Sequence, residues 1–235
     1  MPVNAALILA GGTGTRMQMG GVPKQYLMVR GKAIIDYSLS VFQRNELISS
    51  IFIGAEPGWR DFLNAHLSRE GISKFGGYAL PGENRQLSIL NGLESISREA
   101  PETDNVIIHD AARPLVTDNL ITQCLIGLED AHGVMPSLPI KDTCYLSLDG
   151  TSISKFVPRN ELFAGQAPEA FRFRPYLSAH ESVSVDFLKQ VSGSSELAYK
   201  CGLDVKMIRG IEQNIKITTK DDLLLFEKYL DCGVG

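Results

Sequence analysis

Cysteine is scarce in this chain, and no two cysteines stand close enough in sequence to suggest a shared metal ion. The four cysteines, Cys124, Cys144, Cys201 and Cys232, are widely spaced and form no C-x-x-C pair. Buried or incidental thiols in a reducing compartment are therefore expected, rather than disulfides or a zinc site.

Long hydrophobic runs are also missing. No apolar stretch approaches the roughly 18 residues that a membrane-spanning helix needs. The short apolar stretch near the N-terminus has no basic segment before it and runs directly into a glycine-rich loop, so it predicts a first strand rather than a signal peptide. We therefore expect a cytoplasmic protein with no membrane partner.

A strong excess of charge of either sign is absent too. The formal net charge is −4, and 21% charged with 44% hydrophobic residues is ordinary for a globular protein. This balance gives no reason to expect a nucleic-acid partner, so any anionic ligand must be held by a local basic cluster. No linker, internal repeat or low-complexity segment is evident, which predicts a single domain over residues 1–235.

Short apolar runs alternate with amphipathic stretches along the first two thirds of the chain. Apolar runs of this kind, alternating with helices, predict a mostly parallel sheet covered on both faces, a Rossmann-like three-layer α/β fold. The predicted strands are 5–9, 48–54, 75–80 and 105–109, and the predicted helices are 33–42, 59–67, 84–96 and 118–128, the last with Asp118 as its N-cap.

The pattern changes after Val134, where Pro136 and Pro139 argue against a helix. Alternating runs on both sides of Asp149-Gly150 then predict a β-hairpin within about residues 139–162. Such a hairpin either projects as an arm that serves dimerisation or folds back on its own domain, and the pattern alone leaves both open.

A glycine-rich segment directly follows the first predicted strand. It comprises residues 9–17, Leu-Ala-Gly-Gly-Thr-Gly-Thr-Arg-Met, and Pro23-Lys24-Gln25 follows closely. Glycines let backbone N–H groups approach an anion, and Arg16 and Lys24 supply the positive charge that a triphosphate needs. The spacing matches neither the dinucleotide fingerprint nor the P-loop. From the glycines alone, a surface turn with two solvated cations is an equal alternative.

A second polar motif, His-Asp-Ala-Ala-Arg-Pro at residues 109–114, follows the strand predicted at 105–109. Ligands of parallel sheets bind beyond the carboxyl ends of the strands. The two motifs are therefore predicted to converge on one crevice.

Four ordered motifs together resemble the cytidylyltransferases that act on polyol phosphates. They are residues 10–17, 23–25, 109–114 and the Asn-Ile-Lys-Ile-Thr run at 214–218, and the resemblance covers the chain from Ala5 to Leu230. One group in that family makes CDP-methylerythritol from 2-C-methyl-D-erythritol 4-phosphate, and another makes CDP-ribitol from D-ribitol 5-phosphate. The resemblance implies CTP and a polyol phosphate as substrates, Mg²⁺ as cofactor, and a homodimer formed through the hairpin arm.

The resemblance also implies roles for individual residues. A substrate phosphate attacks the α-phosphorus of CTP and expels pyrophosphate, so catalysis is mostly positioning and charge neutralisation. Thr143 and Arg159 are implied to reach across a dimer interface into the partner's site. By resemblance the catalytic residues are Arg16, Lys24 and Lys216, the nucleotide-binding residues are Leu9, Ala10, Gly11, Gly12, Thr13, Gly14, Thr15 and Ser88, the acceptor-binding residues are Asp110, Arg113, Thr143 and Arg159, and the metal ligand is Asp110.

The residues themselves leave other interpretations open. Asp110 and Arg113 suit a strand-end salt bridge, and Ser88 suits a structural position near a helix N-terminus. His109 is expected to be structural, because attack by a phosphate monoester needs no general base.

The motifs disagree on the identity of the acceptor. Leu-Phe-Ala-Gly-Gln at residues 162–166 resembles the ribitol enzymes, whereas residues 109–114 lean toward the methylerythritol enzymes. Ala167 and Glu169 stand where both groups usually carry Thr and Gln. We predict transfer to ribitol 5-phosphate. The alternatives are transfer to methylerythritol phosphate, a nucleotidyltransferase for another sugar phosphate, and a catalytically silent nucleotide-binding regulator.

Overall fold

The computed structural model describes residues 1–12 and 21–233, and within them the chain alternates strands and helices as the hydrophobic pattern predicts. The strands are β1 (Asn4–Leu9), β2 (Met28–Val29), β3 (Lys32–Ala33), β4 (Ser50–Gly54), β5 (Phe75–Ala79), β6 (Asn105–Asp110), β7 (Gly133–Pro139), β8 (Cys144–Leu146), β9 (Lys155–Val157), β10 (Phe163–Gly165), β11 (Glu169–Arg172) and β12 (Val205–Arg209). The helices are α1 (Ile34–Arg44), α2 (Arg60–Arg69), α3 (Arg85–Glu99), α4 (Asp118–Ile126), α5 (Phe173–Glu181), α6 (Val185–Gln190), α7 (Ser194–Lys200) and α8 (Lys220–Asp231).

One mostly parallel sheet organises these elements. β5, β4, β1 and β6 follow one another as parallel neighbours, and β11 then runs antiparallel between β6 and β7. β10 also pairs antiparallel with β7, and β12 pairs with β7 in the parallel sense. The predicted Rossmann-like α/β architecture is confirmed.

Strand β1 lies at the centre of the sheet and is buried on both faces. Ala5 and Leu7 belong to the core on one face, with Ile89 of α3, while Ala6 and Ile8 belong to the core on the other face. All four β1 side chains are 0% exposed. This alternation explains why β1 is apolar without a break, and it gives the three layers of the fold.

The predicted helix at 118–128 is confirmed, but its predicted N-cap is wrong. Thr117, not Asp118, is the N-cap, because its side-chain oxygen accepts a hydrogen bond from the Leu120 N–H at 3.2 Å. Asp118 instead occupies the first turn of α4, where a carboxylate interacts favourably with the helix dipole.

The β8–β9 pair forms the hairpin that the Asp-Gly turn predicts. The Asp149 carboxylate accepts hydrogen bonds from the N–H groups of Thr151 and Ser152, and Gly150 has a φ of +75°. Large apolar side chains are exposed along this hairpin: Tyr145, Leu146, Leu148, Ile153 and Phe156.

In the part of the chain that the structure describes, no helix has the length and apolar character needed to cross a bilayer. All four cysteines are free thiols.

Candidate active site

A cavity of about 560 Å³ lies at the carboxyl ends of β1 and β6, where the two predicted motifs meet. Leu9, Gly11 and Gly12 of the first motif line it together with Asp110 and Ala112 of the second. The predicted convergence of the motifs is therefore confirmed. The remaining lining residues are Lys24, Gln25, Gly54, Glu56, Gly82, Glu83, Asn84, Arg85, Ser88, Lys216 and Thr218.

The backbone that follows β1 is held by side chains of the next segment. Gln25 Nε2 donates to the carbonyl oxygens of Ala10 at 2.5 Å and Gly12 at 2.9 Å, and the Tyr26 hydroxyl also donates to Ala10 at 3.1 Å. A Cβ on Gly11 would lie only 2.3 Å from Pro81 Cβ, so this position requires glycine. Of the remaining predicted loop residues, Thr13, Gly14, Thr15 and Arg16 lie outside the described residues.

Tyr26 supports the backbone after β1 from outside the cavity lining, and the sequence motifs did not identify it. Its ring stacks on Trp59 with 4.6 Å between ring centroids, and burial raises the pKa of its hydroxyl to about 12. The hydroxyl therefore stays protonated and remains a hydrogen-bond donor to the loop at neutral pH. Its adjacency to Lys24 and Gln25 is the signal that pointed to it.

The N-terminus of α3 forms another wall of the cavity. Asn84 caps this helix by accepting from the Leu87 N–H at 2.9 Å, and Ser88 Oγ accepts from the Gly82 N–H at 2.9 Å. Ser88 also donates to the Asn84 carbonyl at 2.8 Å, so its hydroxyl shapes the turn as well as facing the cavity. The positive end of this helix favours an anion at the wall.

Asp110 and the two lining cations that contact it, Arg85 and Lys216, form the part of the cavity lining that we call the Asp110 wall. Asp110 Oδ2 lies 2.8 Å from Lys216 Nζ and 3.8 Å from Arg113 Nε, and its Oδ1 lies 3.4 Å from Arg85 Nε. Burial by itself raises the pKa of the Asp110 carboxyl, but Arg85, Lys216 and Arg113 outweigh burial and hold it well below its usual value. Asp110 is therefore ionised at neutral pH.

Arg85 is the most connected cation of this wall, and the motif analysis assigned it no role. It contacts Asp110 and also Glu169, whose Oε1 lies 3.3 Å from Arg85 Nη2. Burial lowers the pKa of Arg85, but its two carboxylate partners more than compensate, so the guanidinium stays charged. Its position at the start of the helix predicted at 84–96, shortly after the strand predicted at 75–80, is the signal that was available.

Arg113 and His109 act as structural supports of the Asp110 wall. Arg113 Nη1 donates to the Asn214 carbonyl at 2.7 Å, which ties the second motif to the segment that carries Lys216. His109 is 0% exposed, bonds through Nε2 to the Arg113 carbonyl at 3.0 Å, and has a pKa lowered to about 4 by burial. This environment fits the structural role expected of His109.

Of the four predicted acceptor-binding residues, Asp110 lines the cavity and Arg113 lies beside it against Asp110, whereas the structure does not bring Thr143 and Arg159 to the cavity. Neither lies among its lining residues, and Arg159 Nη1 donates to the Lys141 carbonyl at 3.0 Å near the base of the hairpin. Their predicted role in the site of a partner subunit stays a prediction.

Metal-binding capacity is limited at this site. In residues 1–12 and 21–233, no three acidic, histidine or cysteine side chains cluster closely enough to hold a metal ion. Asp110 offers one carboxylate that already faces cations. This donor set fits a divalent ion held mainly by phosphate oxygens of a bound nucleotide, with Asp110 as the protein ligand.

Comparison with known proteins identifies the family to which this arrangement belongs. A family model described as IspD, 2-C-methyl-D-erythritol 4-phosphate cytidylyltransferase, matches residues 4–232. The chain belongs to the IspD family. As an IspD-family member it is a cytidylyltransferase, which confirms both the suspected family and the prediction of a nucleotidyltransferase.

The IspD relatives carry two names. A ribitol-5-phosphate cytidylyltransferase of Vibrio parahaemolyticus is 34% identical over 230 residues, covering 97% of this chain and 96% of the relative. A 2-C-methyl-D-erythritol 4-phosphate cytidylyltransferase of Rubrobacter xylanophilus is 38% identical over 232 residues, covering 96% of this chain and 94% of the relative. The family match therefore leaves the acceptor unassigned.

A solved structure of an IspD-family enzyme supports the fold. The 4-diphosphocytidyl-2C-methyl-D-erythritol synthase of Anaerococcus prevotii superposes with a TM-score of 0.83 at 23% identity, covering 98% of this chain and 96% of that chain. At this identity the likeness concerns the fold alone.

Proposed function

We propose that this cytidylyltransferase transfers CMP from CTP to D-ribitol 5-phosphate, giving CDP-ribitol and pyrophosphate. The cavity carries the proposal, because the glycine-rich backbone after β1 and the N-terminus of α3 line the same cavity as Asp110, whose carboxylate contacts three cations. The carboxylate suits polyol hydroxyls, and the cations suit the acceptor phosphate. Several relatives named ribitol-5-phosphate cytidylyltransferase, at 32–34% identity, support this acceptor.

2-C-methyl-D-erythritol 4-phosphate is the second candidate acceptor. The Rubrobacter xylanophilus relative is named 2-C-methyl-D-erythritol 4-phosphate cytidylyltransferase and is 38% identical to this chain. Both acceptors present hydroxyls and a phosphate, so the same walls serve either reaction.

The proposed reaction is an in-line displacement at phosphorus. An oxygen of the acceptor phosphate forms a bond to the α-phosphorus of CTP, and the bond from that phosphorus to the leaving pyrophosphate breaks. Lys24 and Arg16 neutralise charge on the triphosphate, while Lys216 holds the acceptor phosphate near the α-phosphorus. The phosphate nucleophile is already anionic, so the proposal assigns no general base.

The remaining predicted site residues divide between the two substrates. Leu9, Ser88 and the loop of residues 10–15 hold the nucleotide, and Asp110 and Arg113 hold or orient the acceptor. Mg²⁺ is the proposed metal, with phosphate oxygens and Asp110 as its ligands, and when bound it neutralises charge on the triphosphate.

The hairpin within residues 139–162 is the proposed dimerisation arm. Its exposed apolar side chains form a surface that a second copy of the chain would cover. Such a dimer is also the arrangement in which Thr143 and Arg159 would reach a cavity.

A pyrophosphate-release assay with CTP and Mg²⁺ tests the proposal against ribitol 5-phosphate, methylerythritol 4-phosphate and a hexose 1-phosphate. We expect the highest kcat/KM with ribitol 5-phosphate. A higher value with methylerythritol 4-phosphate would transfer the assignment to the second candidate. Release with the hexose 1-phosphate alone would refute a polyol acceptor.

Lys24→Ala separates catalysis from folding in the same assay. Because Lys24 lines the cavity, we expect turnover to fall by at least about a hundredfold, while the melting temperature stays near that of the wild type. Lys206→Ala is the matched control, since Lys206 lies on β12, away from the cavity lining. Near-normal turnover in Lys24→Ala would remove Lys24 from the triphosphate site.

A further inference from the structure

Arg85 is shared between two carboxylates at the edge of the cavity. Its Nε lies 3.4 Å from Asp110 Oδ1, and its Nη2 lies 3.3 Å from Glu169 Oε1. Its Nη1 donates to the Ser194 hydroxyl. The two carboxylate distances are nearly equal, so the guanidinium is balanced between the two anions.

The two oxygens of Asp110 are not equivalent. Oδ2 makes the close contact, 2.8 Å, with Lys216 Nζ, and it also faces Arg113 Nε at 3.8 Å. Oδ1 makes a longer contact of 3.4 Å with Arg85. Oδ1 is therefore the oxygen better able to accept a hydrogen bond from a hydroxyl of the acceptor.

Hydrogen bonds from Ser195 fix the Glu169 carboxylate, so it does not move with the Arg85 guanidinium. Glu169 Oε2 accepts from the Ser195 N–H at 3.0 Å and from Ser195 Oγ at 2.6 Å. Its backbone pairs with Ile108 in β6, two residues before Asp110, and the residue is only 7% exposed. The sheet and Ser195 thus set the position of this carboxylate relative to Asp110.

We propose that Glu169 is a positioning residue that draws Arg85 away from Asp110 Oδ1 and keeps this oxygen open to an acceptor hydroxyl. The nature of the acceptor, a polyol phosphate, rests on the proposed function. Without the Glu169 charge, Coulomb attraction moves the guanidinium onto Asp110, because opposite charges interact strongly where water is excluded. The acceptor must then displace a charge-assisted hydrogen bond.

Glu169→Gln tests the role with little change in shape, since it removes the charge and keeps an oxygen. We expect the KM for ribitol 5-phosphate to rise about tenfold, while the KM for CTP stays within about twofold. Glu196→Gln is the matched control. Glu196 lies on α7 next to Ser195, the residue that holds Glu169, but it bonds to Ser192 and Lys200 rather than Arg85.

Ser195→Ala is a second variant that keeps the charge at residue 169. It removes one of the two hydrogen bonds that fix Glu169, so we expect a smaller rise, about threefold, in the same KM. Thermal melting of all variants identifies any that lose the fold. An effect seen with Glu169→Gln and Ser195→Ala but not Glu196→Gln supports the positioning role.

Calorimetric titration with ribitol 5-phosphate gives a readout that needs no turnover. Weaker binding in Glu169→Gln than in the wild type and Glu196→Gln supports the role of Glu169. This holds even if the wild type releases no pyrophosphate, because the absence of release would refute only the proposed function. Unchanged KM and affinity in Glu169→Gln, with an active wild type, would refute the inference and leave the function standing. No binding and no turnover in the wild type would refute both.

Discussion

His109 is neutral although it is the immediate neighbour of the ionised Asp110. Complete burial is the main cause, and it lowers the pKa of the imidazole to about 4, despite the nearby Asp110 carboxylate that favours the charged form. Asp110 is also buried, yet three cations keep it charged. At this site a residue's protonation state depends on its partners and not on its depth alone.

The burial of His109 predicts a loss of stability in mild acid. An unfolded histidine gains a proton below about pH 6.5, whereas native His109 stays neutral down to about pH 4, so the unfolded state is favoured as pH falls through this window. From pH 7 to pH 5, His109 lowers the free energy of unfolding by about 2 kcal/mol. Urea unfolding of His109→Gln and wild type at both pH values measures it.

The His109→Gln variant should lose less stability than the wild type between pH 7 and 5, by about that amount. Between pH 7 and 8 the two proteins should show nearly the same change, since His109 is neutral in the native state and mostly neutral in the unfolded state there. An equal loss in both proteins at pH 5 would contradict the assignment.

The sequence predicted the site residues that belong to a local motif. It did not predict contacts between residues that only the tertiary fold brings together. Asp110 and Lys216 were identified from their motifs, and they meet at 2.8 Å. Arg85 and Glu169 are 84 residues apart, and they meet because β11 pairs with β6 while α3 packs against the same sheet. No local pattern in the sequence encodes that distance.

At the scale of elements, the hairpin differs from the rest of the fold because its apolar side chains face outward. β8 and β9 pair with each other in a sheet of their own, apart from the main sheet. Tyr145 is 55% exposed and Phe156 is 59% exposed, and the two rings contact edge to face at 6.3 Å. The sequence predicted the hairpin through its turn chemistry, but the turn does not specify what covers this face.

The outward-facing aromatic pair predicts that the hairpin supports self-association. Tyr145→Ser combined with Phe156→Ser should weaken dimerisation at least about tenfold, because buried aromatic anchors dominate interface energies. Sedimentation velocity over a range of protein concentrations measures the change. Tyr199→Ser is the matched control, since Tyr199 is 79% exposed on α7 and outside the hairpin.

The melting temperature of the Tyr145→Ser, Phe156→Ser protein should change little at concentrations where both proteins are monomeric. A wild type that sediments as a monomer at every concentration would exclude the arm as a dimerisation element. Equal weakening by Tyr199→Ser would place the interface elsewhere.

Over the whole molecule, a net charge of −4 coexists with a concentrated group of cations at one cavity. Four described cations, Lys24, Arg85, Arg113 and Lys216, lie on or beside its walls. This focusing lets an acidic protein hold two anionic substrates, because field strength depends on local arrangement and not on net charge. Composition alone gave no reason to expect a nucleic-acid partner, and it contained no information on the cavity.

Nucleotide binding at this cavity should stabilise the whole fold. CTP with Mg²⁺ at about 100 times its dissociation constant should add about 2.7 kcal/mol to the free energy of unfolding. For a chain of this size that corresponds to a rise in melting temperature of roughly 5–10 °C. UTP, which lacks the cytosine amino group, is the matched control, and an equal rise with UTP would argue against selectivity for CTP.

The global architecture was the most predictable level, for a physical reason. Strands buried on both faces, such as β1, must be apolar throughout, and their alternation with amphipathic helices leaves few arrangements other than a parallel three-layer fold. The N-cap of α4 was misplaced by one residue, since Thr117 and Asp118 both carry capping side chains and only the backbone geometry distinguishes them.

The hydrogen bond from Arg113 to the Asn214 carbonyl spans 101 residues and has a consequence for how the protein is made. As the ribosome releases the chain from its N-terminus, the cavity residues around Gly11 and Ser88 emerge long before Lys216. The Asp110 wall is complete only after the segment that carries Lys216 has left the exit tunnel. A nascent chain therefore acquires the two parts of this cavity at different times, and a prematurely ended chain lacks the Lys216–Asp110 contact.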